Sequence, residues 1–245
     1  MTNAITDPLV GGQEEGLDTA QVQFDLTPEG VATVLICRPA SGNRLNWSVL
    51  EALNQVFETL HGADGVRVIF LRGSGETFCQ GSDPDWRFAE TGGQAIEKLT
   101  VVEEVEALLH RLWAAPALTV ALLQGQANGA GAWLAAACDI VVALDTTTIC
   151  FTDEKLAAGK GVVSPYLRSA VGDAEADRLI ASGDALGTGE VLRLGVVQEL
   201  VADNVGFSQV AERIAQSAVS GEIDQQLSPA IIRRIKEKRP VWGDR

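Results

Sequence analysis

Several residue types are scarce in this sequence. Its 245 residues include four cysteines, two histidines, one methionine and one tyrosine, and aromatics make up only 5%. The cysteines, Cys37, Cys79, Cys138 and Cys150, are far apart and form no CxxC pair. That excludes the disulfide framework of a small secreted domain and leaves reduced, mostly buried thiols in a cytoplasmic protein as the expectation. No His/Cys/carboxylate cluster has metal-ligand spacing. Basic residues number 19 against 33 acidic ones, a formal charge of −14. Nucleic acid and anionic membrane surfaces attract basic patches, so neither is expected as a partner. The apolar segment from Leu118 to Leu144 is interrupted by Gln124, Gln126, Asn128 and Asp139. It reads as core strands and a helix, not as a membrane span. No basic region leads into an apolar stretch near the start, so no signal peptide is expected. GxSxG and P-loop patterns are missing, and Gly159-Lys160-Gly161 lacks the Walker pattern.

What is present suits one sizeable core. Hydrophobic residues make up 46%, and a single α/β domain of this length is common. Residues 1–20 are polar and aperiodic and read as a flexible arm. Val31 to Cys37, Val66 to Leu71, Leu118 to Leu123 and Asp139 to Leu144 read as strands. Leu45 to Leu60 carries apolar residues at helical spacing, and Glu97 to Trp113 is amphipathic and stops before Pro116. Ala132 to Ala137 is a helix former preceded by Gly129 and Gly131. Downstream the strand signal fades, and helices are expected over Asp173–Ala181, Gly189–Leu194, Phe207–Val219 and Pro229–Lys236. Strands alternating with helices define an α/β fold class. No repeat or linker splits the chain.

Two glycine-containing turns each follow a strand: Phe78-Cys79-Gln80-Gly81-Ser82-Asp83 and Gly125-Gln126-Ala127-Asn128-Gly129-Ala130-Gly131. Small residues let a ligand approach the backbone, and amides at a helix N-terminus lie outside the intrahelical ladder. A pair of such amides holds an oxyanion, the form a thioester carbonyl takes on becoming an enolate. Spacing alone leaves a second reading open, in which the glycines only allow tight helix–strand packing.

Taken in order, several segments resemble the crotonase (enoyl-CoA hydratase/isomerase) superfamily. Arg38-Pro39-Ala40-Ser41-Gly42-Asn43-Arg44-Leu45-Asn46 is similar to its R-P-x-x-x-N-A-L-N motif. Val66 to Gly73 followed by Phe78 to Asp83 resembles V-R-x-x-x-L-x-G followed by F-C-A-G-A-D. Gly125 to Gly131 with Cys138-Asp139 resembles G-x-A-x-G-G-G and a C-D pair. Ser164-Pro165-Tyr166 with Gly172, and Lys238-Arg239-Pro240, are similar to later family motifs. The resemblance implies a ββα spiral core over residues 21–200 with C-terminal helices over 201–245 that oligomerise into a homotrimer or a dimer of trimers. It implies an acyl-CoA or acyl-carrier thioester as partner, coenzyme A entering as part of the substrate with no separate cofactor. It also implies an oxyanion hole from the backbone N–H groups of Ser82 and Ala130. Ala130 stands for the usual glycine, which is acceptable if its φ is negative. The adenine-pantetheine arm is expected near the Asn43–Leu45 turn and near Gln80, Gly81 and Asp83, with Gly129 beside the acyl group. Arg44 replaces the family's Ala; it either contacts a CoA phosphate or is solvated.

The departures concern proton transfer. The family's two glutamates fall on Trp133 and Lys155, with Glu154 one place earlier in Phe151-Thr152-Asp153-Glu154-Lys155. Indole is no general base. Glu154 is the preferred proton carrier, and Lys155 the alternative, protonating an enolate or holding a substrate carboxylate. Trp133 either walls the acyl pocket or fills the helix–sheet core. Trp86 lines the acyl pocket or covers the loop. Asp139 reads as a structural brace, and His61 and His110 as surface residues. Three functions remain open: a hydratase/isomerase-type acyl-CoA enzyme, an acyl-CoA decarboxylase, and a non-catalytic partner subunit of the same fold.

Overall fold

The computed structural model describes residues 21–83, 95–152, 160–222 and 224–238. Its strands are β1 (Val22–Leu26), β2 (Val31–Ile36), β3 (Val68–Gly73), β4 (Leu118–Leu123), β5 (Gln126–Asn128), β6 (Ile140–Leu144), β7 (Thr148–Cys150) and β8 (Glu199–Val201). Its α-helices are α1 (Trp47–Gly62), α2 (Ala95–Ala114), α3 (Ala130–Ala137), α4 (Lys160–Val171), α5 (Asp173–Ser182), α6 (Thr188–Leu194), α7 (Asn204–Ser220) and α8 (Pro229–Lys238). The main sheet has the order β1-β2-β3-β4-β6-β8. Only β1, paired with β2, runs antiparallel; every other pairing in this sheet is parallel. A second, two-stranded parallel sheet joins β5 to β7.

The central strands are apolar throughout because both their faces are covered. Ile69, Leu71, Ala121, Leu123, Val141 and Ala143 face one core, which α1, α2 and α3 complete. Val68, Phe70, Val120, Leu122, Ile140 and Val142 face a second core under α7 and α8, where Ile214, Ile231 and Ile235 pack. In α1 the buried residues Val49, Leu50, Leu53, Val56, Phe57 and Leu60 form one stripe. Asn46 caps this helix, its side chain accepting a hydrogen bond from the Val49 amide at 2.9 Å.

Buried polar groups brace the strand ends. Asp139 Oδ2 accepts from the Thr119 amide at 2.9 Å and from its hydroxyl at 3.1 Å, tying β6 to β4. Arg234 of α8 donates to the Asp139 carbonyl at 3.1 Å. The bracing expected of Asp139 is therefore what its carboxylate does. The side chain of Gln198 accepts from the Val141 amide at 2.7 Å and donates to the Gly195 carbonyl.

Five elements differ from the sequence expectation. β1, β5, β7 and β8 form where no strand was expected, and α4 begins at Lys160, inside a stretch read as loop. β5, β7 and β8 have three residues each, too few to show a period-2 pattern. His61 also departs from a surface reading: its Nε2 is buried with no hydrogen-bond partner among the described residues. Burial, and secondarily the charge of Arg111, lowers its pKa below the ordinary histidine value.

Candidate active site

The two glycine turns lie side by side. Cys79 and Ala127 form a parallel bridge. The Cys79 amide donates to the Gln126 carbonyl at 3.1 Å, and the Asn128 amide to the Cys79 carbonyl at 2.9 Å. Two residues beyond the bridge each segment turns at a glycine with positive φ, Gly81 at 92° and Gly129 at 51°. One residue further stand Ser82 and Ala130, at equal offsets from the bridged pair. Asn43 is the sole non-glycine with positive φ among the described residues, so Ala130 has the negative φ that its methyl requires.

Hydrogen bonds fix how both peptides point. In a trans peptide the C=O of one residue opposes the N–H of the next. The Gly81 carbonyl accepts from the Leu45 amide at 2.9 Å, so the Ser82 N–H points away from Leu45. The Asp83 amide donates to the Leu45 carbonyl at 2.8 Å, holding the far side of Ser82. The Gly129 carbonyl accepts from the Trp133 amide at 3.1 Å, as the first bond of α3. The Ala130 N–H therefore points out of the N-terminus of α3, where the helix dipole favours negative charge. The start of α3 is pressed onto the first turn. A Cβ on Gly131 would sit 2.3 Å from the Cys79 carbonyl oxygen, which only glycine avoids.

A cleft of about 660 Å³ opens beside the first turn, lined by Ser41, Gly42, Arg44, Glu76, Gln80 and Asp83 among others. Arg44 donates to the Gln80 carbonyl at 3.1 Å and to Gln80 Oε1 at 3.0 Å, so its guanidinium crosses from one wall to the other. Arg38 pairs with Asp83 Oδ2 at 2.9 Å and donates to the Arg44 carbonyl. Buried Asn43 accepts from the Arg38 amide at 2.8 Å and donates to the carbonyls of Ser74 at 2.8 Å and Thr77 at 2.6 Å. Gln124 donates to the carbonyls of Gly73 at 2.6 Å and Gly75 at 3.1 Å. Arg38 and Gln124 were not singled out from sequence. A polar Gln closing the apolar run Leu118 to Leu123 was the available signal.

Trp133 is 2% exposed and meets the Phe151 ring edge-on, centroids 5.2 Å apart. Among the described residues it is a core side chain at the base of the second turn. The Gly129 amide donates to the Cys150 carbonyl at 2.8 Å, so Phe151 and Thr152 leave β7 beside that turn. Glu154, Lys155 and Trp86 lie outside the described residues. Tyr166 packs edge-on against Trp113 at 5.5 Å. Burial, and secondarily the charge of Glu106, raises its pKa. Among the described residues no cluster of three or more metal-binding side chains occurs, and no helix is long and apolar enough to cross a membrane.

Parallel strands with helices on both faces make this an α/β protein. The family model for enoyl-CoA hydratase/isomerase matches residues 27–239. The chain belongs to that family. It is 29% identical over 189 residues to enoyl-CoA hydratase AKT6-1 of Alternaria alternata, a match covering 77% of this chain and 61% of the relative. A probable enoyl-CoA hydratase of Rhodobacter capsulatus is 34% identical over 186 residues, covering 74% of this chain and 69% of that one. The structure of Pseudomonas aeruginosa PA4980 superposes with a TM-score of 0.74 at 30% identity, covering 91% of each chain. An enoyl-CoA hydratase from Mycobacterium smegmatis shares the fold, with a TM-score of 0.72 at 24% identity over 82% of this chain and 77% of that one.

Proposed function

We propose that this chain binds an acyl thioester, of coenzyme A or of an acyl carrier, and stabilises its enolate with the backbone N–H groups of Ser82 and Ala130. The observation that carries this reading is the pair of peptide orientations at matched offsets from the Cys79–Ala127 bridge. The pantetheine arm runs along the cleft of Gln80, Gly81, Asp83 and Arg44, and Gly129 admits the acyl group. Two fixed dipoles aimed at one oxygen act most strongly where charge develops, each contributing roughly 10²–10³-fold in rate.

Proton transfer is assigned to Glu154, which follows Cys150 by four residues, with Lys155 as the competing carrier. Ordinary water addition draws on two carboxylates, and Trp133 brings an indole to one of those places. Chemistry with a single proton carrier, such as shifting a double bond, fits better. A buried indole at that position also favours a second reading, decarboxylation of a malonyl-type thioester, which needs enolate stabilisation and no strong base. The acting assembly is proposed to be a homotrimer, or a dimer of trimers, in the cytoplasm.

Ala130→Pro tests the central claim. Proline lacks the N–H, yet it suits the first residue of a helix. Gly129, at φ 51° and ψ −119°, has the mirror-image extended backbone that glycine adopts before proline. With a panel of enoyl- and malonyl-thioesters, the variant is expected to fold normally and lose at least ~100-fold in turnover. Undiminished turnover would remove the oxyanion hole from the scheme. A purified chain inactive on every thioester, but active with a co-purifying partner, would make it a partner subunit instead.

A further inference from the structure

We infer that Arg38 is a positioning residue for this site: acting through Asp83, it cancels a carboxylate that would otherwise oppose the charge growing on the thioester oxygen. The inference rests on the oxyanion reading given above. Asp83 follows the Ser82 donor directly, and its amide is held by the Leu45 carbonyl at 2.8 Å. Its side chain lines the same cleft, with only 13% of its surface exposed. A fixed negative charge there repels an enolate, and partial burial leaves that repulsion poorly screened.

Arg38 is built to counter it. Its guanidinium meets Asp83 Oδ2 at 2.9 Å with 18% side-chain exposure, and a second nitrogen of the same group donates to the Arg44 carbonyl. Two contacts from one planar group fix its orientation, which a lysine cannot reproduce. The mount is rigid as well. The Arg38 amide donates to Asn43 Oδ1 at 2.8 Å, and its carbonyl accepts from the amides of Ser41 and Asn43, each at 2.9 Å. One cation thus joins the turn that carries the cleft wall to the turn that carries the donor. It serves Asp83 from within the protein.

Charge cancellation and simple bracing predict different signs. If Arg38 only holds the loop, Arg38→Gln and Asp83→Asn break the same bridge and do the same harm. If it cancels charge, Arg38→Gln removes the guanidinium that opposes the carboxylate and weakens polarisation of the thioester carbonyl, whereas Asp83→Asn removes the repulsion and leaves that polarisation intact, with any effect on pantetheine binding read separately as affinity. The readout is the infrared stretch of a bound acyl-CoA carrying ¹³C at the thioester carbonyl, with affinity measured separately by calorimetry and turnover by kcat and KM. Arg38→Gln is expected to lose most of the carbonyl downshift and roughly tenfold in kcat, with KM changed less than twofold. Asp83→Asn is expected to keep or deepen the downshift, and Arg38→Gln/Asp83→Asn to recover most of what Arg38→Gln lost. Should Arg38→Gln misfold, Asp83→Asn alone still decides by its sign. Equal losses in both single variants with no recovery in the double would overturn the role of Arg38 while leaving the oxyanion hole standing. No downshift in the unaltered protein would overturn both.

Discussion

Gly131→Ala sets two known effects against each other, and the structure says which wins. Alanine is a better helix former than glycine by about 1 kcal/mol, so the change would strengthen an isolated α3. The new methyl, however, would lie 2.3 Å from the Cys79 carbonyl oxygen, 2.8 Å from its Cβ and 3.0 Å from its carbonyl carbon. Two of these three atoms are backbone, so no rotamer change relieves the contact. The gap must open by about 1 Å before ordinary van der Waals separation returns. Overpacking of this kind costs about 1–3 kcal/mol. The net loss is up to about 2 kcal/mol, or a Tm lowered by up to roughly 8 °C for a chain of this size. The wedge enters between the two turns that carry Ser82 and Ala130. A displacement of about 1 Å at a reacting centre costs on the order of 100-fold in rate. Differential scanning calorimetry and thioester turnover check both parts. A variant as stable as the parent and equally active would refute the claim that close packing of α3 on Cys79 sets the spacing of the proposed donors Ser82 and Ala130.

Three further outcomes are expected. Asn43→Ala removes three hydrogen-bonded partners and leaves alanine at φ 52°, which should cost about 2–4 kcal/mol by urea denaturation, with Asn43→Gly recovering about 1 kcal/mol of it. Asp139→Ala should cost about 2–4 kcal/mol in guanidinium titrations while thioester affinity stays within twofold, because the carboxylate braces Thr119 far from the cleft. His61 binds its proton less readily folded than unfolded, so stability should fall as pH drops below about 6.5 toward its lowered folded value, and rise with pH across that window. His61→Leu should flatten that part of a Tm-against-pH curve.

Much of the architecture was readable because long apolar runs declare themselves. β3, β4 and β6 are buried on both faces, and α1 keeps one apolar stripe, so hydrophobic spacing found all four. β5 reads Gln-Ala-Asn, which no propensity marks as a strand; it is held by its ladder to β7 and by Cys79. α4 was missed because Gly161 and Pro165 interrupt its pattern, while tertiary packing against α3 supplies what propensity lacks. Glycine spacing named the two turns of the site but not their side-by-side register, which depends on a bridge between residues 48 positions apart. The pairing of Arg38 with Asp83 was equally invisible, since ion pairs between distant loops leave no periodic trace. The contact of Arg44 with Gln80 was invisible for the same reason, since the two residues lie 36 positions apart.

The central strands β3, β4 and β6, dry on both sides, divide the molecule into two compartments that share only the sheet. The two glycine turns belong to the compartment of α1, α2 and α3, whereas Ile214, Ile231 and Ile235 fill the other. Conservative changes beneath α7 and α8 can therefore raise or lower robustness with little effect on the reacting centre. The rear layer is the natural place for such a chain to drift, or to be hardened by an engineer, while its chemistry is held still.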